Sequence, residues 1–448
     1  MEESSLASWT HASIIQGNSG KGRHAMESFD PAAATAAYLA TMSPADTARA
    51  IAYTQGGHWL ILWGFLVSMA VAFILVKSNI LTGLRDRIEG GKSKPFLAGL
   101  VIAPVYFVLS WILSLPWALY EDWWREKAYG LNNQTWSEWL GEAAIGSAIG
   151  VVFGSIVIVL LYLLIRVARK TWWLWGAGLV GAVALFGMVL SPIYIEPIFN
   201  TYTPAPPGAV RDAVVELAHR TGTPDDKIYI YDGTKQSDRY TANVSGLFGS
   251  ARVALSDAMF KKNADMSEIR AVVGHEMGHY VHSHGLIGAG VLTAFAALAF
   301  WLTQRMFPVF QGLLGAGRVR DISDPAGLPV LFAVLAFIGV IGTPATNTLT
   351  RLIEADADHF SMVHANEPDG MAKALIKTAE YRAPSPSLVE EFLFYDHPSV
   401  ENRIRAAMDW KAAHMSGTPA AAPAPAVAAS TTAGPAAAPA GGQPSGKE

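Results

Sequence analysis

The chain has 448 residues, of which 51% are hydrophobic and 16% are charged. Soluble globular domains carry about 25% charged residues, so this composition indicates that much of the chain lies in lipid. The formal net charge of −4 provides no basic footprint, and nucleic acid is therefore excluded as an expected partner. Because Cys is absent, disulfides and thiolate ligands are excluded, and any zinc site must use His and carboxylate side chains.

Six apolar stretches without a run of charges predict membrane-spanning helices. They cover 58–76, 95–119, 143–167, 172–190, 286–307 and 328–343. The alternative, buried helices of a large soluble core, requires six such stretches to arise in one chain. We therefore predict an α-helical, multi-pass integral membrane protein that contacts membrane lipid.

The remaining segments divide the chain further. Residues 1–57 are polar, and 58–190 hold four spans joined in part by a polar, aromatic surface loop over 121–142. Residues 191–285 predict a small inserted α/β domain, with strands over 227–232 and within 244–255 and a helix from Glu268 to about His284 capped by Ser267. Two spans follow in 286–345, then a helical segment over 346–414. The Ala/Pro-rich tail, 415–448, is expected to be disordered.

The motif His275-Glu276-Met277-Gly278-His279 lies in the predicted helix. Two His residues four positions apart lie on one helical face and can bind one metal ion, with Glu276 close enough to reach a metal-bound water. This is the His-Glu-x-x-His arrangement of zinc metallopeptidases, in which zinc lowers the pKa of its water and Glu accepts the proton. Chance occurrence of the pattern is the alternative.

A catalytic zinc ion needs a third protein ligand, and without Cys this must be another His or a carboxylate. Glu354 is the candidate, because Glu354 and Asp358 share a helical face with Asn347 and Arg351. Asp358 would then accept a hydrogen bond from a ligand His. The alternative is a solvated acidic face. We expect His282 and His284 to be ordinary surface or interfacial residues, since neither lies one turn from both motif histidines.

Several stretches together carry a more specific signal than the motif alone. They are SPIYIEPIFN at 191–200, YDGTKQS at 231–237, IRAVVGHEMGH at 269–279, NTLTRLIEADAD at 347–358, and Asp396-His397-Pro398 with Arg403. In order and spacing the chain resembles the membrane-embedded zinc metallopeptidases related to the type I CaaX prenyl protease. The resemblance covers most of residues 58–410.

The resemblance implies a role for each matching residue. One Zn²⁺ ion would be held by His275, His279 and Glu354, with Glu276 as general base and acid. Asp358, Arg403 and Asn347 would support the ligands. The resemblance places His397 near the metal, where we expect it to stabilise the oxyanion that forms at the attacked carbonyl. A purely structural role for His397 and Arg403 is the alternative. Asn243 to Gly246 resembles the edge strand that binds substrate as an added strand. The chain departs from the family in having Thr241-Ala-Asn243 where many members have Asn-Ala-Tyr, and in lacking an earlier span.

We predict a zinc-dependent endopeptidase that hydrolyses peptide bonds of membrane-associated or lipid-modified, CaaX-like substrates through a metal-activated water. The alternative is a quality-control protease for misfolded membrane proteins. A transporter would need charged residues within the spans, which are nearly absent. A catalytically dead scaffold is disfavoured because the motif and Glu354 are intact.

The side of the membrane that carries the site is left open by the sequence. Lys and Arg in the links 77–94, 166–170 and 305–320 would place those links in the cytoplasm and the zinc domain outside. The resemblance implies a peptidase domain on the cytoplasmic side.

Overall fold

A computed structural model describes residues 29–239, 241–246, 250–261 and 265–414. The expected disorder of 415–448 lies outside the described residues, as do residues 1–28 of the polar stretch 1–57. In chain order the helices are α1 (Pro31–Leu39), α2 (Pro44–Ser78), α3 (Ile80–Glu89), α4 (Pro95–Ala118), α5 (Glu126–Ala128), α6 (Trp136–Val167), α7 (Trp172–Leu190), α8 (Glu196–Phe199), α9 (Ala209–Thr221), α10 (Met266–Val281), α11 (His284–Leu313), α12 (Leu328–His364), α13 (Pro368–Thr378), α14 (Leu388–Phe394) and α15 (Val400–His414).

Within the described residues, six helices are long and apolar enough to cross a bilayer: α2, α4, α6, α7, α11 and α12. Each contains an apolar stretch predicted from the sequence, and most extend beyond it; α12 continues for 37 residues, well past the predicted span. Their outward faces expose large apolar side chains such as Trp63, Phe153 and Phe186, as lipid contact requires. Their inward faces form a core that includes Tyr162 and Trp172. The protein is thus an α-helical integral membrane protein.

The region 121–142, predicted as a surface loop, is largely helical. After α4 the chain continues through a π-helical turn, Leu119–Arg125, into α5, and α6 already begins at Trp136. Arg125 is buried against α2, where it donates to the carbonyl of Tyr53 at 2.6 Å and lies over its ring. The prediction of a surface loop was wrong, because the segment folds into helical turns whose Arg125 and Glu126 contact Tyr53 of α2.

The polypeptide links at one end of the bundle contact one another. Arg85 of α3 pairs with Asp324, and Arg166 of α6 donates to the carbonyls of Pro95 and Ser323 at 3.0 and 3.4 Å. At the opposite end, the segment before α6 contacts the α/β region, with Asn133 donating to the carbonyl of Thr234 at 2.8 Å. The basic links and the α/β region therefore lie at opposite ends of the bundle.

A four-stranded sheet follows the fourth span. Its strands are β1 (Tyr202–Pro204), β2 (Ile228–Tyr231), β3 (Ala242–Ser245) and β4 (Arg252–Ser256), in the order β1-β2-β4-β3. β2 and β4 are parallel, and β3 is antiparallel to β4, with Asn243 opposite Ala254. β3 therefore forms one edge of the sheet. Together with α9 and α10, the sheet buries a core separate from the membrane core.

Helix α10 starts two residues before the predicted position. Its N-cap is Asp265, whose carboxylate accepts from the amide of Ser267 at 2.9 Å, so the prediction of Ser267 as the cap was wrong. The helix ends at Val281 rather than near His284, because Ser283 adopts a left-handed conformation with φ +56°. His284 therefore begins the next helix, α11.

Candidate metal centre

Three side chains from α10 and α12 converge on one point. Nε2 of His275 lies 3.1 Å from Nε2 of His279 and 3.2 Å from Oε2 of Glu354. Nε2 of His279 lies 3.6 Å from Oε1 of Glu354. His275 and Glu354 are buried and His279 is half-buried. Sequence analysis grouped these three residues, and the fold brings them together.

Close packing of the two helices sets this geometry. A Cβ atom added at Gly278 would lie 3.0 Å from Cβ of Phe360 and 3.2 Å from Cα of Ala357, and one added at Gly274 would lie 3.0 Å from Oγ of Ser361. Oγ of Ser361 also donates to the carbonyl of Ala271 at 2.7 Å. The two glycines of α10 therefore allow α12 to approach closely enough for Glu354 to meet both imidazoles.

Asp358 holds the other nitrogen of His275. Its Oδ1 lies 2.9 Å from Nδ1 of His275, and Arg403 of α15 donates to both oxygens of the same carboxylate at 2.7 Å. Arg403, predicted together with Asp358 to support the ligands, contacts Asp358 directly. A buried carboxylate paired with a guanidinium in this way fixes the imidazole with Nε2 directed to the point of convergence.

His284 occupies the corresponding position beside His279. Its Nδ1 lies 3.0 Å from Nδ1 of His279, and its Nε2 lies 3.1 Å from Oδ2 of Asp356. Nδ1 of His282 contacts the same oxygen of Asp356. His284 is only 7% exposed, so the prediction of an ordinary surface residue was wrong for His284, whereas His282 is exposed. Helical spacing could not identify this contact because Ser283 separates two helices.

Glu276 faces a cleft rather than the helix interface. The cleft has a volume of about 580 Å³, and its lining includes Glu276, Glu354, His397 and Arg239. Withdrawal from solvent raises the pKa of Glu276 to about 7; the positive charge of His275 opposes this shift and the negative charge of Glu354 adds to it. At neutral pH a substantial fraction of Glu276 is therefore ionised and able to accept a proton.

His397 lies at the same cleft, on the segment between α14 and α15. Its Nε2 is 3.3 Å from Oε2 of Glu354, and its Nδ1 is 2.9 Å from Oδ1 of Asp396. Two residues of α12 anchor the preceding segment: Asn347 donates to the carbonyl of Leu393 at 3.1 Å, and Arg351 donates to the carbonyl of Glu391 at 2.8 Å.

Arg351 was noted on the same helical face as Glu354 without an assigned role. Besides its bond to Glu391 it donates to the carbonyl of Tyr395, two residues before His397. It therefore holds the chain that carries His397. The helical face was the available signal, but the acceptors are distant backbone carbonyls that no local pattern predicts.

Strand β3 borders the site, because it packs beside α10 at the edge of the sheet. Oδ1 of Asn243 is buried and has no hydrogen-bond partner among the residues that the structure describes. Gly246 has φ +101°, and a Cβ there would lie 2.5 Å from the carbonyl oxygen of Ser250. A second cavity of about 440 Å³ is lined by Gly246 and His279 at the C-terminal end of β3. Clefts therefore open at both ends of this strand.

Comparison with known proteins assigns the chain to a family. A family model for the N-terminal part of CAAX prenyl proteases, with five membrane helices, matches residues 31–201, and the model for peptidase family M48 matches residues 204–411. The chain belongs to peptidase family M48. This assignment confirms the resemblance inferred from the sequence.

Individual relatives agree with this assignment. The M48 chain is 26% identical over 372 residues to an uncharacterized metalloprotease of Bacillus subtilis, covering 82% of this chain and 86% of that protein. It is 26% identical to a CAAX prenyl protease 1 homolog of Oryza sativa, covering 70% and 72% of the two chains. The crystal structure of Ste24p from S. mikatae matches with a TM-score of 0.69 at 19% identity over 85% of this chain and 95% of that chain, and thus shares its fold.

The M48 protein is therefore a multi-pass membrane metalloprotease, and its family uses a metal, generally zinc. The donors around the point of convergence fit such an ion. In a tetrahedral site with bonds of about 2.0–2.2 Å, ligand atoms lie roughly 3.3 Å apart. The three donor separations of 3.1, 3.2 and 3.6 Å bracket this value. The donor set of two imidazoles and one carboxylate is also one that catalytic zinc uses.

The protonation of the two imidazoles differs. Burial lowers the pKa of His275, but its hydrogen bonds to Asp358 and Glu354 outweigh burial and raise the pKa to about 9. Burial and the neighbouring charge of His275 lower the pKa of His279 to about 4. Without a cation, therefore, a proton on His275 offsets part of the negative charge of Asp358 and Glu354.

Proposed function

We propose that this protein is a zinc-dependent endopeptidase that hydrolyses peptide bonds of membrane-associated or lipid-modified, CaaX-like substrates. One observation carries the proposal: the donor atoms of His275, His279 and Glu354 surround a point beside a cleft into which Glu276 also faces. A purely structural metal site would not need Glu276, a half-buried carboxylate that faces the cleft beside the ligands.

Each of these residues has a distinct task in the proposal. His275 and His279 bind one Zn²⁺ ion through Nε2, and Glu354 binds it through its carboxylate. When bound, zinc polarises the scissile carbonyl and makes water a stronger acid. Asp358 accepts a hydrogen bond from Nδ1–H of His275, and Arg403 keeps that carboxylate ionised and oriented.

Proton transfer is assigned to Glu276. Its carboxylate accepts a proton from the attacking water and then donates it to the nitrogen of the departing amine, so Glu276 ends the cycle ionised. Hydrolysis needs no covalent intermediate with the protein.

Stabilisation of the oxyanion is assigned to His397. With Nδ1–H directed to Asp396, the imidazolium form carries its second proton on Nε2, which faces the cleft near Glu354. From this position Nε2–H can donate to the developing oxyanion. Asn347 and Arg351 secure the segment that carries the imidazole.

Substrate is proposed to bind along β3, using backbone groups around Asn243 and Gly246. β3 is an edge strand, and β4 occupies only one of its sides. A peptide added antiparallel to β3 would place its C-terminal side in the cleft near Arg239 and its N-terminal side in the cavity near Gly246 and His279. Both ends of the bound segment would thus have space.

The decisive experiment is mass spectrometry of the products from a farnesylated C-terminal peptide, its unprenylated counterpart and an unfolded membrane protein. The proposal expects cleavage of the farnesylated peptide that a chelator stops and Zn²⁺ restores. Selective cleavage of the unfolded protein would favour quality control of membrane proteins instead. Cleavage that a chelator does not affect would contradict the proposal.

A further inference from the structure

The two imidazoles at the centre receive their support in different ways. Nδ1 of His275 contacts a carboxylate directly, at 2.9 Å from Asp358. Nδ1 of His279 instead faces the imidazole of His284, and only beyond that ring does a carboxylate, Asp356, follow. We propose that His284 and Asp356 act as a positioning relay that fixes the tautomer and orientation of His279. This inference rests on the proposed role of His279 as a metal ligand.

Only one assignment of protons to the ring nitrogens of His279 and His284 fits the geometry. A neutral His279 that binds a cation through Nε2 carries its proton on Nδ1. That proton is donated across 3.0 Å to Nδ1 of His284, which must accept and therefore carries its own proton on Nε2. Nε2–H of His284 then donates to Oδ2 of Asp356 at 3.1 Å. Every donor in this series of hydrogen bonds meets one acceptor, and the negative charge of Asp356 sets the direction of the whole series.

The turn between α10 and α11 brings His284 to this position. Ser283 has φ +56°, a conformation that a residue with a side chain adopts at a cost of about 1 kcal/mol or more. Only two residues separate α10 from α11, and the turn places the first residue of α11 beside His279. His284 is buried there, and the planes of the two rings lie at 73° with centroids 5.1 Å apart.

A second metal site is the competing interpretation, because His282, His284 and Asp356 also place donor atoms within 4.8 Å of one another. A cation on Nε2 of His284 would remove the proton that this nitrogen donates to Asp356. His284 would then accept from His279 at Nδ1 with no proton on either nitrogen, which requires an anionic imidazole. The relay avoids this cost, so we favour support of His279 over a second ion.

The test measures zinc affinity of the purified full-length protein in detergent, by competition with a chromophoric chelator. His284→Leu removes the acceptor for Nδ1–H of His279 and is expected to weaken zinc binding about 10- to 100-fold. His284→Asn places an amide oxygen near the former Nδ1 and should recover much of the affinity. His219→Leu removes an exposed imidazole from the surface of α9 and serves as the matched control, with affinity within about twofold of wild type.

Two further variants separate the interpretations and guard against misfolding. Asp356 is half-exposed, so we expect Asp356→Leu to fold and to weaken zinc binding even if His284→Leu does not fold. His282→Leu should have a smaller effect than His284→Leu. Equal losses in these two variants, or two zinc ions per wild-type chain, would support a second metal site and overturn the relay.

Unchanged affinity in both His284→Leu and Asp356→Leu would overturn the relay while leaving the proposed peptidase intact. Failure of the wild-type protein to bind zinc would overturn both.

Discussion

Arg403 of α15 donates two parallel hydrogen bonds of 2.7 Å to the carboxylate of Asp358 of α12. Both side chains are largely buried. Since Asp358 in turn contacts His275, the guanidinium acts on the metal centre through two intervening groups. α15 is thereby required for a site whose donor atoms all lie on α10 and α12.

Arg403→Lys tests this dependence. Lysine cannot make the paired contact, so Asp358 should hold His275 less firmly and zinc affinity should fall roughly tenfold. The measurement is competition with a chelator. Arg405→Lys is the matched control, because Arg405 lies on the same helix and pairs with Asp409 at the surface. An equal response of the two variants would contradict the role assigned to Arg403.

Glu276→Gln should remove the proton acceptor while leaving the donors in place. We expect zinc content to be unchanged and kcat to fall by about 10²- to 10⁴-fold, the range attributed to general base catalysis. Zinc is measured by elemental analysis and turnover by peptide cleavage. Retained turnover would exclude Glu276 as the base.

Zinc binding should release protons near neutral pH. The pKa of His275 is raised to about 9, so this imidazole is protonated at pH 7 in the absence of metal, whereas the pKa of His279 is lowered to about 4 and this imidazole is already neutral. A ligand must be deprotonated, so zinc displaces about one proton from His275. Affinity should rise about tenfold per pH unit up to about pH 9. Calorimetry in buffers of different ionisation enthalpy counts the proton, and a count of zero would contradict this assignment.

Gly278→Ala should disturb the contact between α10 and α12. The added methyl group would meet the backbone of Ala357, and overpacking of this kind costs about 1–3 kcal/mol. We expect a lower thermal midpoint in detergent and weaker zinc binding. Gly288→Ala on α11 is the control, because no atom of the described part of the chain lies within 4 Å of its added Cβ. Equal midpoints for the two variants would show that close packing does not matter here.

The location of the metal centre relative to the membrane can be tested with single cysteines, since the chain has none. The basic links 79–94 and 168–171 lie at the end opposite the α/β region, and the positive-inside rule assigns them to the cytoplasm. An impermeant maleimide should therefore label His219→Cys in intact cells and Lys92→Cys only after lysis. The reverse pattern would support the side implied by the family. Either result fixes the side from which substrate reaches β3.

Sequence analysis succeeded where a single helix carries the information. His275 and His279 share a helical face of α10, and Glu354 and Asp358 share one of α12, so spacing alone brought each pair together. The six apolar stretches were equally visible, because a bilayer requires about 20 apolar residues in succession.

The contacts that join different helices and strands were harder to predict from the sequence. The partner of His279 depends on a left-handed Ser283, a conformation that the residue type does not favour. Asp265 and Ser267 are both residue types that cap helices and lie two positions apart, so residue type alone could not show that Asp265 is the cap. Arg403 lies on α15, 45 positions after Asp358, and no sequence periodicity links the two residues.

Glu354, Asp356 and Asp358 occupy one short stretch near the C-terminal end of α12, beyond its apolar part. Both motif histidines are synthesised before α11 and α12, whereas this stretch follows the sixth span. A nascent chain whose last transmembrane helix has not yet been inserted consequently possesses neither the third donor nor the carboxylates behind the imidazoles. Proteolytic competence would thus arise only on completion of membrane assembly.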